Sequence, residues 1–195
     1  MPNYQFTNNW FDQTALPIWR ELFPNRYRPK NVLEIGSYEG KAACWLAQTL
    51  GDVHIDCVDT WEGSFEHSDI DMRATEERWF RNTELAYLQY KNASFTQWKG
   101  TLREQYCDII ELRPTPYDLI YIDGSHRAAD VLSDAVLAWP LLRSGGVMIF
   151  DDYLWRYDHS AVNSPKLAID SFVACYADQL TQLAVPASQV VVEKR

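Results

Sequence analysis

The stretch Val32-Leu33-Glu34-Ile35-Gly36-Ser37-Tyr38-Glu39-Gly40, continuing from Lys41 to Leu50, decides the fold. It reads as a buried strand running through a glycine turn into a helix. Gly36 can take backbone conformations closed to other residues, and Gly40 lets the helix begin close to a ligand. A second apolar run, Val53 to Val58, ends in Asp59. An acid about 20 positions past the first glycine of such a turn is placed to accept hydrogen bonds from both hydroxyls of a ribose. Dinucleotide sites use G-x-G-x-x-G, because a diphosphate must approach the backbone and lie over a helix N-terminus. Here the spacing is G-x-x-x-G, and Glu34 and Glu39 flank it. That arrangement repels a diphosphate and suits a cationic ligand.

Outward from this stretch, strands and helices alternate. The pattern predicts a helix around Trp10 to Phe23, then strands 31–35, 53–58, 94–98, 117–122 and 146–150. Between them fall helices 40–50, about 73–90, 101–111 and 127–139. Pro165 opens a helix reaching about Asp178, since proline in a first turn gives up a donor that would be unpaired anyway. The valine-rich ending Gln189 to Glu193 reads as a last strand. Alternation of this kind means an α/β fold, doubly wound, with a mostly parallel sheet and helices on both faces.

The chain of 195 residues suits one domain with a sizeable core. Within that domain, residues 1–30 form a helical N-terminal segment, 31–153 the core, and 154–195 a final helix and strand. The net charge of −9 argues against a nucleic-acid substrate, which needs a basic surface. The four cysteines, Cys44, Cys57, Cys107 and Cys175, form no C-x-x-C pair, so neither a zinc site nor a redox motif is indicated. No charged-then-apolar leader and no run of 18 apolar residues occurs, which predicts a cytoplasmic protein without a membrane partner. Eight tryptophans and eleven tyrosines must be housed in the core, an aromatic pocket or an interface between identical copies.

Four ordered segments carry a resemblance: VLEIGSYEG, Asp59-Thr60-Trp61-Glu62-Gly63, Tyr117 to His126 (YDLIYIDGSH), and Leu142 to Tyr153 (LRSGGVMIFDDY). The chain resembles the class I S-adenosylmethionine-dependent methyltransferases. It is most similar to the small branch with IDG-x-H and GG-hydrophobic-DD segments, related to metal-dependent sugar and macrolide O-methyltransferases. The resemblance implies a seven-stranded Rossmann-like sheet with its last strand antiparallel, and S-adenosylmethionine as the cationic cofactor. Residues expected at the cofactor are Glu34, Gly36, Gly40, Asp59, Thr60, Trp61, Thr101 and Asp123. Of these, Glu34 would meet the methionyl amine, Asp59 the ribose, and Thr60, Trp61 and Thr101 the adenine.

The resemblance also makes the strand ends carrying Asp123 and Asp151-Asp152 neighbours, about 5 Å apart. Three carboxylates that close repel, unless they hold protons or a cation neutralises them. Oxygen ligands select a hard ion such as magnesium, manganese or calcium. Asp123, Asp151 and Asp152 are therefore the expected metal ligands, with Asp152 the less secure, because consecutive strand residues point to opposite faces unless the chain bends. The alternative is that Asp151-Asp152 caps a loop while Asp123 orients the methionyl amine. His126, near the start of the following helix, should be held neutral by the helix N-terminus and is the expected general base. The function implied is divalent-cation-dependent O-methylation of a small-molecule acceptor. The alternatives are a metal-free N- or C-methyltransferase and a catalytically silent subunit of the same fold. Residues 62–73 and 153–164 are the two candidates for a substrate lid.

Overall fold

The structure, a computed structural model, describes residues 2–184 and 188–195. Its centre is a seven-stranded sheet built from β1 (Asn31–Ile35), β2 (Asp52–Asp59), β3 (Asn92–Lys99), β4 (Tyr117–Ile122), β5 (Leu142–Phe150), β6 (Leu180–Ala184) and β7 (Val190–Lys194). The spatial order is β3-β2-β1-β4-β5-β7-β6. The first five strands are parallel, and β7 runs antiparallel to both β5 and β6.

Strand alternation sorts the core into two layers. Val32, Ile55, Leu119, Tyr121 and Ile149 face one side, packed under α1 (Trp10–Gln13), α2 (Leu16–Leu22), α3 (Lys41–Leu50) and α4 (Met72–Gln89). Leu33, Ile120, Ile122, Met148 and Phe150 face the other, under α5 (Leu102–Leu112), α6 (Ala128–Ala138) and α7 (Pro165–Cys175). Because both faces are covered, the central strands are largely apolar, as expected of parallel sheets, with Glu34 a buried exception in β1.

Three elements differ from the sequence reading. The single N-terminal helix is two, α1 and α2, because Pro17 lacks the N–H and occupies the space that a continuous helix would need. Strand β5 starts four residues earlier than predicted, at Leu142, and its register with β4 shifts between Tyr117 and Leu119. Strand β6 was not foreseen. Of its first four residues only Leu180 is buried, so no alternation marks it in the sequence.

Candidate active site

Ligands in an open α/β sheet collect beyond the carboxyl ends of the strands, where the strand order reverses. Here that point lies between β1 and β4, which are paired neighbours although they are far apart in the chain. A cavity of about 570 Å³ opens there, a volume suited to a small-molecule or cofactor site. Gly36, Asp59, Thr60, Thr101, Asp123 and His126 all line it.

Gly36 has φ +91°, and a Cβ at that position would stand 2.1 Å from the backbone oxygen of Asp123. The glycine is thus demanded by the close approach of the ends of β1 and β4. Asp59 binds the turn as well as facing the cavity. Its Oδ2 accepts from the amides of Ser37 (2.9 Å) and Tyr38 (2.8 Å), and its Oδ1 from the amide of Trp61 (2.7 Å). A carboxylate offers about four lone-pair sites, so one remains for a ligand hydroxyl. Burial pushes Asp59 up, while the amides of Trp61, Tyr38 and Ser37 act in the opposite direction. Thr60 accepts from the amide of Glu62 (3.2 Å). The Thr101 side chain is engaged in a capping box with Glu104 at the start of α5.

Four expectations from the sequence change here. Gly40 does not approach the cavity: it caps α3 and faces Trp79 and Thr83. Glu39 also points away, binding the backbone and hydroxyl of Thr7 and the guanidinium of Arg78. Trp61 is core. Its φ of +49° turns the ring inward, where it is buried, packs against Trp79 at 5.3 Å and donates from Nε1 to the Tyr38 carbonyl at 2.9 Å. Glu34 is buried beneath the turn and accepts from the Ser37 hydroxyl instead of lining the cavity. Burial raises its carboxyl to about 7, against the lowering effect of hydrogen bonds from Ser37 and Cys57.

The acidic cluster is assembled differently from the expected trio. Asp152 has φ +54°, so the chain bends out of β5 and turns its carboxylate back toward the cavity side. Ligand atoms of Asp123, His126 and Asp152 all lie within 4.8 Å of one another, the group among the described residues that could hold a metal ion. Asp151 is directed elsewhere: its Oδ2 accepts from the hydroxyl of Tyr121 and from Gln189 Nε2 at 2.9 Å. The less secure ligand of the sequence reading is therefore the one in place, and Asp151 stands behind it. Tyr121 also reaches Asp123 Oδ2 at 2.9 Å. The Tyr121 hydroxyl thus lies between two carboxylates. Asp123 is pushed well above the usual carboxylate range by burial and by the charges of Asp151 and Asp152.

His126 sits ahead of α6, whose cap is Arg127, and between two acids. Its Nδ1 is 3.0 Å from Glu66 Oε2 and its Nε2 is 2.8 Å from Asp152 Oδ2. Burial lowers the imidazole, but the hydrogen bonds and charges of Asp152 and Glu66 outweigh it, and the net shift is upward. The expectation of a ring kept neutral by the helix N-terminus is thus reversed by its neighbours. The Trp155 ring lies against the imidazole, with centroids 4.1 Å apart.

Two parts of the site were missed in the sequence. Glu66 belongs to a short 3-10 turn, Phe65–His67, within the segment expected to be aperiodic. The capping pattern Ser64-x-x-His67 was its only signal. Beside the cavity, Trp10 of α1 stacks on His67 (6.4 Å) and leans on Tyr38 (5.6 Å), two residues of the cavity wall. Of the two lid candidates, 62–73 supplies Gly63, Ser64, Glu66, His67 and Met72 to the cavity wall, whereas 153–164 supplies none.

Known proteins show the same organisation. Residues 33–153 match a family described as a methyltransferase domain. An O-methyltransferase from Bacillus cereus in complex with S-adenosylhomocysteine is 19% identical. It superposes with a TM-score of 0.65, covering 100% of this chain and 84% of that one. TomG from Streptomyces achromogenes, an O-methyltransferase of tomaymycin synthesis in complex with S-adenosylmethionine, is 18% identical with a TM-score of 0.65, covering 86% and 74%. MycE of the mycinamycin pathway, in complex with magnesium, S-adenosylhomocysteine and mycinamycin VI, is 20% identical with a TM-score of 0.61, covering 100% and 50%. At these identities the likeness is one of fold. Among curated sequences, an uncharacterized protein of Sinorhizobium fredii is 27% identical over 148 residues. The match covers 73% of this chain and only 15% of that protein. An uncharacterized protein of Acanthamoeba polyphaga mimivirus is 24% identical over 121 residues, 62% of this chain and 50% of its own length. The family match spans the glycine turn, Asp59, Asp123, His126 and Asp151-Asp152 together, so the chain belongs to the methyltransferase-domain family.

Proposed function

We propose that this chain transfers the methyl group of S-adenosylmethionine to a hydroxyl oxygen of a small molecule, using a hard divalent cation held by Asp123 and Asp152. The observation that carries the reading is the position of His126, on the cavity wall with Glu66 behind one ring nitrogen and Asp152 before the other. The donor set suits such an ion. The carboxylates of Asp123 and Asp152 converge within 4.8 Å, beside the His126 ring, and the burial and repulsion that raise Asp123 are what a bound cation offsets. When bound, the cation would lower the pKa of an acceptor hydroxyl beside it.

The protein's own groups supply the rest. With the Asp152 carboxylate turned to a cation, His126 would lose one of the two acids that favour its charged form and release its Nε2 proton to solvent. Nδ1–H would stay on Glu66, leaving the Nε2 lone pair of the neutral ring to take a proton. The acceptor oxygen then forms its bond to the methyl carbon as the carbon–sulfur bond breaks. The electron pair leaves with sulfur, and the hydroxyl proton goes to His126 Nε2. Most of the acceleration in such a displacement comes from alignment of donor and acceptor, for which the cavity walls are responsible.

The test is calorimetry joined to transfer of a labelled methyl group onto a panel of hydroxylated small molecules. S-adenosylhomocysteine should bind at micromolar concentration and NAD should not. Transfer should vanish in chelator and return with magnesium or manganese. His126→Ala should slow it about 10²–10⁴-fold while leaving S-adenosylhomocysteine affinity within about twofold of the parent. Full transfer in excess chelator would remove the cation from the mechanism, and binding of NAD alone would overturn the cofactor.

A further inference from the structure

The corner that carries Asp151 and Asp152 is held from behind by groups that the reaction does not touch. Asp152 has φ +54°, and a residue other than glycine keeps such a backbone only where its surroundings over-determine it. The first of those surroundings is Asp151, whose Oδ1 accepts from the Asp152 amide at 2.8 Å. Its Oδ2 accepts from the Tyr121 hydroxyl and from Gln189 Nε2, the latter at 2.9 Å. Gln189 is fully buried, and its Oε1 accepts from Trp19 Nε1 at 3.2 Å. An indole N–H can only donate, so the amide oxygen must face Trp19 and the NH₂ must face Asp151. Trp19, itself fully buried, also sets its ring edge-on to that of Tyr121, with centroids 4.8 Å apart. Both side-chain donors to Asp151 therefore lean on one residue of α2. Ser188 closes the same corner: its carbonyl accepts from the Tyr153 amide at 2.9 Å, and its hydroxyl donates to the Thr14 carbonyl at 3.2 Å.

We propose that Gln189 is a positioning residue for the cation site: oriented by Trp19, it holds Asp151 in the posture that bends the chain and presents the Asp152 carboxylate, an inference that rests on the cation reading above. Without the Gln189 amide, the Asp151 Oδ2 keeps only Tyr121, and Tyr121 is shared with Asp123 at 2.9 Å. The Asp151 carboxylate is then free to turn and release the Asp152 amide. With that bond the bend relaxes, and the Asp152 carboxylate leaves its place near Asp123. Partners behind metal ligands act in this way, by fixing the direction in which the ligands point. A glutamine that only filled the core would act on stability alone, and ion affinity would not depend on its N–H.

The experiment is a double-mutant cycle read by manganese affinity, from the electron paramagnetic resonance signal of the free ion, with S-adenosylhomocysteine affinity measured alongside by calorimetry. Gln189→Met keeps the length of the side chain and removes its N–H. It should bind manganese about fivefold more weakly than the parent, the worth of one ordinary hydrogen bond. Its S-adenosylhomocysteine affinity should stay within about twofold, as for a distant site. Asp151→Ala should bind manganese at least as weakly, and adding Gln189→Met to it should cost nothing more, because the glutamine acts through Asp151. Tyr117→Phe is the control. It removes a buried hydrogen bond to Asp56, far from the ion, and should lower the melting temperature without changing manganese affinity. No penalty for Gln189→Met in the parent, a penalty that persists in Asp151→Ala, or an equal loss in Tyr117→Phe would each overturn the assignment. Should Asp151→Ala fail to fold, hydrogen exchange decides it: the Asp152 amide should exchange faster in Gln189→Met than in the parent, and an unchanged rate would overturn the role. A parent that binds S-adenosylhomocysteine but no manganese would instead overturn the cation reading, and this assignment with it.

Discussion

Two glycines with positive φ separate conformational cost from steric cost. Gly36 and Gly51 have φ of +91° and +73°, but a Cβ on Gly51 would meet nothing within 4 Å, whereas one on Gly36 would collide with the Asp123 backbone. Gly51→Ala should therefore cost only the backbone strain of its φ +73°, ψ −37° conformation, about 1–3 kcal/mol, and Gly36→Ala at least about 4 kcal/mol or all soluble protein. Urea titrations of the two variants measure the difference. Glu34 makes a second prediction. Its folded pKa is about 7 and its ordinary value 4.5. Between those values the folded chain keeps a proton that the unfolded chain has released, so stability falls as pH rises through this window and levels off above it. Glu34→Gln should remove that loss. The variant should match the parent at pH 4 and exceed it by up to about 3 kcal/mol at pH 8, at about 1.4 kcal/mol per pKa unit. Equal stability at pH 8 would show that Glu34 is charged at no cost. Residue types at the site were legible because glycine turns and strand-end acids have few other uses. Directions were not: whether Trp61 points to ligand or core depends on its contacts with Trp79 and the Tyr38 carbonyl, which are distant in sequence.

Elements were legible in proportion to their burial. The central strands β1, β4 and β5 announce themselves as largely apolar runs, whereas β6, mostly exposed at the sheet edge, carries no pattern to read. The N-terminal segment was legible in purpose but not in form. Its apolar residues Phe11, Leu16, Trp19 and Phe23 are buried in the layer beneath α3 and α4, as their number required. What secures the strand of chain before them is Glu39, which accepts from Thr7 N and Oγ1, each at 2.7 Å, and pairs with Arg78. Asn82 adds a clasp, accepting from the amide of Gln5 at 2.8 Å and donating to its carbonyl at 3.0 Å. Glu39→Ala should release this strap and leave Arg78 without its partner, costing about 2–3 kcal/mol. Hydrogen exchange is the measurement. The amide of Thr7 should lose its protection while those of β1, β4 and β5 keep theirs, and uniform loss across the sheet would mean that Glu39 supports the whole fold.

At the scale of the molecule, the sheet order brings together acids that are distant in sequence. Reversal of strand order at β1 and β4 places Asp123 beside β5, and the bend at Asp152 returns a second carboxylate toward it. The neighbourhood of these strands was implied by the family resemblance, but the choice of Asp152 over Asp151 was not, because Tyr121 and Gln189 claim Asp151 from positions 30 and 38 residues away. A concentration of buried negative charge is a standing cost to the native state, and an ion that binds only the folded chain repays it by mass action. The gain is about 2.7 kcal/mol at a free concentration 100 times the dissociation constant. For a domain of this size each kcal/mol shifts the midpoint by about 2–4 °C. Millimolar manganese or magnesium should therefore raise the melting temperature by about 5–10 °C, and chelator should reverse it. Asp152→Asn should abolish the shift, since it removes a converging ligand. Asp151→Asn should keep most of it, because that side chain meets Tyr121 and Gln189 instead of the ligand cluster. No shift in the parent at any concentration of either ion would leave the acids as a proton-sharing network around Tyr121. A loss confined to Asp151→Asn would put Asp151, the ligand that the sequence favoured over Asp152, in the coordination set and leave Asp152 outside it.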